Sequence, residues 1–332
     1  MTRFAVIGSN CFTGSHIVDR LIDNPENSVV GISQSAEYKS LYLPYRSKTV
    51  RNFRFERADL VHQGVRLLGL LGEFKPDVVV NVAALSEVAL SNERPVEYFE
   101  TNTTGVVKLC HHLRHQKYLQ HYVHISSAEV YGSCDFAVKE EQLFNPSTPY
   151  AVSKAAADMF INSLIRRFGF PATLIRSTNV YGKHQQLFKI IPRAIIYLKL
   201  GKTLELHGGG ASMKSFVHVR DVVDGLMKTV EQRALGTWHF SVPSEHSVAD
   251  IVRLVCEAMG QDFASATQSV GERLGQDSRY WLDCTKSRRE LGWTPRRVIQ
   301  DGIRETVQWI EENWETVKSE PLNYIHKWAG AN

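Results

Sequence analysis

The chain has 332 residues, of which 43% are hydrophobic and 22% charged, and its formal net charge is +4 at pH 7. These proportions are ordinary for a soluble globular protein, and the length predicts two domains or one large α/β unit with an appended lobe. Lys and Arg form no basic block, no apolar run reaches membrane-spanning length and the start lacks a signal-peptide layout, so we expect no nucleic acid, no membrane and a cytoplasmic location.

Short apolar strands and helices alternate through the first half of the chain. Arg3–Gly8 is an apolar run ending in glycine, typical of a buried parallel strand, and a helix follows from Thr13 to Asn24. The sequence predicts further strands at residues 28–32, 53–60, 77–84, 120–126 and 172–176, and further helices at 103–116 and 150–168. This alternation predicts an α/β fold with a doubly wound, parallel Rossmann sheet.

The rhythm changes after about Tyr181, where the segments become shorter and richer in loops, as in GKTLELHGGGASMKSF. We therefore expect a dinucleotide-binding domain over residues 1–180, to which some later segments return. Residues 181–332 are expected to form mainly a smaller C-terminal substrate-binding lobe at the carboxyl edge of the sheet.

A glycine loop, GSNCFTG, joins the first strand to the first helix. In that position, backbone N–H groups and the helix N-terminus can hold a pyrophosphate. The middle position is cysteine rather than glycine, but cysteine is small enough to let a phosphate approach. We therefore predict dinucleotide binding by Gly8, Cys11, Phe12, Thr13 and Gly14.

The end of the second strand bears on the choice between NAD and NADP. An NAD site normally places a carboxylate here for the ribose hydroxyls, whereas this chain has Ser33, Gln34 and Ser35. These residues would not repel a 2′-phosphate, although no arginine lies in the turn itself, and we favour NADP slightly. Asp59 and Leu60, after the third strand, suit the adenine edge or simply end the strand.

Tyr150 and Lys154 are four residues apart on a predicted helix and therefore share a face. A phenol has a pKa near 10, and a neighbouring ammonium group favours the phenolate and lowers that pKa. Such a tyrosine can take a proton from a sugar hydroxyl while a hydride leaves for a nicotinamide. A surface helix pair is the alternative interpretation of this spacing.

Other motifs make the interpretation specific. The chain resembles an extended short-chain dehydrogenase/reductase of the nucleotide-sugar epimerase/dehydratase group over nearly its whole length. The motifs that carry the resemblance occur in the family's order: GSNCFTG, NVAALS, ISSAEVYG, PYAVSK, RSTNVYG, IIPR, LELHGGG, SFVHVRD, RLGQDSRYWLD and RRELGWTP.

The resemblance implies a role for each matching residue. Ser127, Tyr150 and Lys154 correspond to the catalytic Ser/Thr, the base and its partner, which also holds the nicotinamide ribose. The cofactor channel corresponds to Ala83, Ala84 and Asn102. Substrate binding is assigned to Ser86, Ser127, Asn179, Lys189, Leu206, His207, Lys214, Arg273 and Asp277. Lys214 replaces the family's frequent arginine, which keeps the charge but loses a bidentate fork, and Gln276 replaces a histidine found in some dTDP-sugar dehydratases.

The triplet Ser127–Ala128–Glu129 bears on the reaction. This loop resembles that of many related dehydratases, which have Thr-Asp-Glu at these positions. In those enzymes the aspartate helps the hydroxyl of carbon 6 to leave as water. After carbon 4 is oxidised to a ketone, the hydrogen on carbon 5 becomes acidic and Glu129 can remove it. We therefore hypothesise a 4,6-dehydratase with one acid, in which Glu129 or a water protonates the departing hydroxyl. The alternative for Glu129 is a structural carboxylate.

Several alternatives remain open at this point. The loss of aspartate at Ala128 is also compatible with a carbon-4 or carbon-5 epimerase or with a nucleotide-uronate decarboxylase, although Glu87 would repel a substrate carboxylate. A different class is a regulatory protein that binds dinucleotide without turnover, which would not need Ser127, Tyr150 and Lys154. The family also implies a homodimer formed through a four-helix bundle.

Neither the cysteines nor the histidines indicate a metal. The five cysteines are scattered along the sequence and predict reduced thiols. His111 and His115 have helical i,i+4 spacing but no accompanying ligand pattern, so we expect no metal site.

Overall fold

The computed structural model describes residues 1–271, 279–326 and 328. Its strands, in chain order, are β1 (Arg3–Ile7), β2 (Ser28–Ser33), β3 (Phe53–Arg57), β4 (Val78–Asn81), β5 (His121–Ile125), β6 (Ala172–Ser177), β7 (Asn179–Tyr181), β8 (Leu204–His207), β9 (Met213–Lys214), β10 (Phe216–His218), β11 (Gly236–Phe240), β12 (His246–Ser247), β13 (Thr267–Val270) and β14 (Arg279–Tyr280).

The α-helices are α1 (Phe12–Ile22), α2 (Gly64–Phe74), α3 (Val88–Glu93), α4 (Pro95–Phe99), α5 (Val106–Leu113), α6 (Pro149–Phe168), α7 (Ile190–Lys199), α8 (Val219–Glu231), α9 (Val248–Ala258), α10 (Phe263–Ala266), α11 (Thr285–Leu291), α12 (Ile299–Glu312) and α13 (Trp314–Val317). Short 3-10 turns cover Pro44–Ser47, Ala128–Tyr131 and Gly208–Gly210. A π-helical segment, Glu100–Gly105, precedes α5, so the helix predicted from residue 103 begins with irregular geometry.

Seven strands form one parallel sheet in the order β11-β6-β5-β4-β1-β2-β3. The predicted doubly wound Rossmann sheet is therefore confirmed. The strand order reverses between β1 and β4, and ligands of such sheets bind in the crevice beyond the carboxyl ends of the strands at this switch point. The seventh strand, β11, comes from the second half of the chain, as the expected return of later segments requires.

Alternate residues of β1 face opposite layers. Phe4 and Val6 pack in a core shared with α1, α8 and the returning strand β11. Ala5 and Ile7 pack in the other layer, which contains side chains of α2, α5 and α6. Both faces of the sheet are thus covered, which is why its strands read as continuous apolar runs.

The remaining segments build the lobe. A third core joins apolar side chains of α7, α9 and α12 with β8. Three small sheets pair β7 with β10, β8 with β13, and β12, β9 and β14 with one another. Among the described residues, no helix is both long and apolar enough to cross a bilayer.

Candidate active site

Two positions at the turn between β1 and α1, Gly8 and Gly14, leave no room for a side chain. Gly8 has φ +90°, and a Cβ built on it would lie 2.6 Å from the backbone nitrogen of Ala83, in the loop after the switch-point strand β4. A Cβ on Gly14 would lie 2.2 Å from the carbonyl oxygen of Gly8. The two glycines therefore keep a cradle open at the switch point, and this cradle fits a pyrophosphate.

Cys11 caps the helix at that cradle. Its sulfur accepts a hydrogen bond of 3.3 Å from the Gly14 N–H, and burial raises the pKa of the thiol to about 11. Phe12 is buried and Thr13 partly exposed in a first turn that carries only neutral side chains. An uncharged thiol and the positive end of the helix dipole together favour a bound anion.

The polar groups at the end of β2 are bonded to the glycine loop. The Ser33 hydroxyl accepts from the backbone N–H of Asn10 at 3.0 Å, and the Asn10 amide contacts the Ser35 hydroxyl at 3.1 Å. Arg57, paired with Ser33 across β2 and β3, donates to the carbonyl of Gln34 at 2.8 Å. Sequence reasoning missed Arg57 at this turn, since it comes from the next strand.

Asp59 and Leu60 order the turn after β3. The Asp59 carboxylate accepts backbone hydrogen bonds from Val61 at 2.8 Å and His62 at 2.6 Å. Leu60 lies against Gly105, where an added Cβ would approach its Cγ to 2.9 Å. Asp59 thus has a structural role in this turn, and its predicted contact with adenine stays a prediction.

Asn102 fastens the loop after β4, which contains Ala83 and Ala84. Its buried side chain exchanges two hydrogen bonds of 2.9 Å with the backbone of Leu85 and donates to the Ser153 hydroxyl at 3.0 Å. Ala83 also donates its backbone N–H to the carbonyl of Ile7 at 3.1 Å. Asn102 therefore ties the wall of the cofactor groove to α6.

The predicted catalytic residues converge beside this groove. Ser127 follows β5, and its hydroxyl accepts from the Glu129 N–H at 3.2 Å and hydrogen-bonds the phenol of Tyr150. Thr148 caps α6 and sets Tyr150 in its first turn. One turn later, the Lys154 ammonium donates to the carbonyl of Ile125 at 2.7 Å.

The electrostatics differ from the expectation that Lys154 lowers the pKa of Tyr150. Burial, followed by the negative charge of Glu129, raises the pKa of Tyr150, and only the hydrogen bond to Ser127 opposes this shift. Burial also lowers the pKa of Lys154 to about 8, although Asp158 acts in the opposite direction. The expectation is wrong for this structure because Glu129 and burial dominate the surroundings of the phenol.

A buried network behind Lys154 was not recognised in the sequence. Asp158 accepts hydrogen bonds from Ser126 at 2.8 Å and from Arg176 Nε at 2.9 Å, and both the carboxylate and the guanidinium are buried. His124 lies 3.3 Å from the Lys154 ammonium, and burial lowers the pKa of this imidazole well below its usual value. The signal that could have revealed it is the spacing of Asp158, which is four residues after Lys154 and therefore on the same face of α6.

A cavity of about 290 Å³ opens next to the catalytic residues. Glu129 reaches it from the loop after β5, and Glu87 reaches it from the loop after β4, where its carboxylate lies 3.4 Å from the Lys189 ammonium. The Lys214 ammonium lies over the ring of Tyr280, 4.1 Å from its centroid. The cavity thus collects four predicted substrate residues from distant segments: Ser86, Asn179, Lys189 and Lys214.

Leu206 and His207 lie away from this cavity. The Leu206 side chain is in the lobe core, and His207 is exposed, with its imidazole hydrogen-bonded to Gly271 at 3.2 Å. Neither residue belongs to the cavity lining in the described part of the chain. Arg273 and Asp277, like Gln276, lie outside the described residues.

The chain is similar to known proteins over nearly its whole length. The sequence model of the family described as GDP-mannose 4,6 dehydratase matches residues 6–306. A dTDP-glucose 4,6-dehydratase from Shigella flexneri is 30% identical over 356 residues, covering 99% of this chain and 98% of the relative.

Two solved structures are also similar. A dTDP-glucose 4,6-dehydratase from Streptomyces venezuelae, with NAD bound, has a TM-score of 0.86 at 30% identity over 95% of this chain and 98% of that chain. A UDP-glucuronic acid 4-epimerase from Bacillus cereus, in complex with UDP-glucuronic acid and NAD, has a TM-score of 0.84 at 25% identity over 94% of this chain and 99% of that chain. The similar proteins therefore include both dehydratases and epimerases.

Proposed function

Because the chain belongs to the GDP-mannose 4,6-dehydratase family of extended short-chain dehydrogenases/reductases, we propose that it dehydrates a nucleotide-diphosphate sugar at carbons 4 to 6. It is an enzyme of the nucleotide-sugar dehydratase and epimerase group. The observation that carries the choice of dehydration is the placement of Glu129, which lines the substrate cavity next to the Ser127–Tyr150 pair.

The proposed reaction begins at the sugar's carbon 4. When bound, a nicotinamide dinucleotide supplies the acceptor for the hydride and returns that hydride to carbon 6 at the end. Tyr150 takes the proton of the carbon-4 hydroxyl, and Ser127 hydrogen-bonds the same oxygen. The positive charge of an oxidised nicotinamide would oppose the effects of burial and Glu129 on the phenol and so favour proton transfer.

Glu129 then acts on the ketone. Its carboxylate removes the proton from carbon 5, and the electron pair of that C–H bond expels the hydroxyl from carbon 6. In the proposal, Glu129 also returns its proton to this hydroxyl, which leaves as water. After the hydride reaches carbon 6, the carboxylate delivers a proton taken up from solvent to carbon 5, and Tyr150 releases to solvent the proton that it took from the carbon-4 hydroxyl. Ala128 supplies no acid, because a methyl group has no ionisable proton. This methyl group is buried in an apolar cluster with Ala155 and Tyr280.

The charged side chains of the cavity suit the diphosphate of a nucleotide sugar better than the carboxylate of a uronate sugar. The ammonium groups of Lys189 and Lys214 both line the cavity and can face the phosphates. A uronate substrate would bring its carboxylate into a cavity that already contains Glu87 and Glu129, and the like charges disfavour a decarboxylase. Epimerisation at carbon 4 or carbon 5 is the second candidate, supported by the similarity to a solved carbon-4 epimerase.

We propose NAD as the cofactor. The slight preference for NADP came from the missing carboxylate at the end of β2, yet the similar solved structures contain NAD. Ser33 and Ser35 are also bonded to the glycine loop rather than left to a 2′-phosphate. Mass spectrometry of the dinucleotide released by acid from the purified protein tests this choice, and recovery of NADP would reinstate the earlier preference.

A homodimer through α5 and α6 remains part of the proposal. Apolar side chains are exposed on and near these helices, including Met159 at 61% and Phe99 at 37%. Covering such groups favours association. Light scattering should give about twice the chain mass, and Met159→Glu should reduce it to one chain.

The decisive experiment is incubation with GDP-, UDP-, CDP- and dTDP-sugars in deuterated water, followed by mass spectrometry. Loss of one water with deuterium on carbon 5 would support dehydration. Carbon-5 epimerisation would instead give an isomer that separates by chromatography and carries one deuterium, and carbon-4 epimerisation would give an isomer of unchanged mass. A protein that holds dinucleotide but converts none of these sugars would favour the regulatory alternative.

A further inference from the structure

The described residues that follow α13 leave the lobe and return to the dinucleotide-binding domain. After α13, Glu320 pairs with the Lys39 ammonium and accepts a hydrogen bond of 3.2 Å from the Tyr42 hydroxyl. Lys39 and Tyr42 belong to the loop after β2. The described residues 320–326 and 328, here called the tail, are therefore attached at one rim of the crevice above the sheet.

Two further contacts carry the tail across the crevice. The Tyr324 ring packs edge-on against Phe188, with 5.3 Å between centroids, next to the substrate cavity. The His326 imidazole then pairs with the Glu97 carboxylate on α4. Phe188 precedes α7, whereas Glu97 lies on a helix that follows β4, the switch-point strand, in the chain.

Trp328 makes the most informative contacts. Its indole packs edge-on against the His62 ring, with 4.8 Å between centroids, and His62 belongs to the turn held by Asp59. The same indole packs against the cluster of Leu85, Tyr98 and the catalytic Tyr150. One side chain thus touches the turn predicted for adenine and the wall around the catalytic phenol.

The tail therefore has anchors on the loops that follow β2, β3 and β4, at the edge of the sheet where a dinucleotide lies. We propose that it is a strap that closes the cofactor groove and slows release of the dinucleotide, with Trp328 as its main contact. This inference rests on the proposed function, in which one cofactor is reduced and reoxidised within each turnover. A cofactor recycled in place benefits from slow release, and partly exposed contacts such as those of Trp328 still let the strap open.

The test measures cofactor release and needs no sugar. The full-length protein is loaded with NADH, mixed with excess NAD, and the fall in NADH fluorescence gives the release rate. We expect Trp328→Ala to release NADH about tenfold faster, as the loss of one favourable aromatic packing site implies. Trp328→Phe should retain most of the slow release. Ile325→Ala is the matched control, since this tail side chain is 56% exposed.

Two results would overturn the strap. One is a release rate for Trp328→Ala within twofold of the parent rate. The other is tighter NADH binding by Trp328→Ala, which would mean that the tail competes with the dinucleotide instead of covering it. Circular dichroism of each variant shows whether it is folded. If only the proposed dehydration fails, the sugars stay unconverted but Trp328→Ala still releases NADH faster than the parent protein. Failure of the dehydration and failure of the strap are therefore distinguishable.

Discussion

Replacing Glu129 by glutamine separates the two halves of the proposed reaction. The substitution keeps the shape of the side chain but removes the carboxylate that lines the cavity. Removal of the proton from carbon 5 then has no base, whereas oxidation at carbon 4 still has Ser127 and Tyr150. We expect the variant to oxidise the sugar and then stop at the ketone.

The magnitude follows from the two roles of the charge. A positioned general base contributes roughly 10²- to 10⁴-fold, or about 3 to 5 kcal/mol, so product formation should fall by that factor. The negative charge of Glu129 is also the second cause, after burial, of the raised pKa of Tyr150. Its removal lowers that pKa, so the oxidation step should extend to lower pH in Glu129→Gln than in the parent.

Rapid mixing with the substrate identified in the sugar panel provides the assay. A burst of absorbance at 340 nm reports reduced cofactor, and mass spectrometry of the quenched mixture reports loss of water. Tyr150→Phe is the matched control, since it removes the phenolic base and should show neither burst nor product. Parental product formation by Glu129→Gln would refute a catalytic carboxylate, and a folded variant without a burst would assign Glu129 to substrate positioning.

Three other predictions concern stability. Asp158→Asn leaves the buried Arg176 guanidinium uncompensated and should lower the free energy of unfolding by about 3 to 5 kcal/mol in urea titrations; a loss below 1 kcal/mol would contradict this. The pKa of Lys154 is lowered from 10.5 to about 8, so the unfolded chain binds more protons than the folded chain between pH 8 and 10.5. The free energy of unfolding should therefore rise by about 3 kcal/mol across this pH range, relative to that of Lys154→Met. Parallel pH profiles for the two proteins would exclude that effect. Gly225→Ala would bring a Cβ to 2.7 Å from the Phe240 ring and should cost about 1 to 3 kcal/mol, and an unchanged melting midpoint would show that this contact relaxes.

The fold was predictable where local pattern and long-range packing agree. The strands buried on both faces read as apolar runs, and the right-handed crossover rule then limits how they connect. Ends were less predictable, since β4 covers Val78–Asn81 rather than residues 77–84. The position of β11 beside β6 depends on contacts between distant segments, which no local period records.

The site was predictable where a family motif marks a residue, and less so where the fold supplies a neighbour. Motifs singled out Ser127, Tyr150 and Lys154, which lie together in the structure, but the surroundings of Tyr150 reverse the expected shift of its pKa. Arg57 contacts the Gln34 carbonyl and Trp328 packs against the cluster of Tyr150, and both belong to segments that carry no recognisable motif. These contacts follow from strand register and from the path of the tail, which only a structure provides.

The replacement of an aspartate by Ala128 is consistent with retained dehydration once the neighbouring groups are considered. A carboxylate at this position would stand in the apolar cluster that now surrounds the methyl group, where burial would raise its pKa and suit it to donate a proton. In the proposed reaction, the leaving hydroxyl is on carbon 6, adjacent to the carbon 5 from which Glu129 would take the proton. A carboxylate that has just accepted a proton is itself an acid, so Glu129 can protonate the hydroxyl from the same place. In the proposed reaction, Glu129 thus serves both the removal of the proton from carbon 5 and the protonation of the leaving hydroxyl. It takes over the role that an aspartate at position 128 would have as the acid.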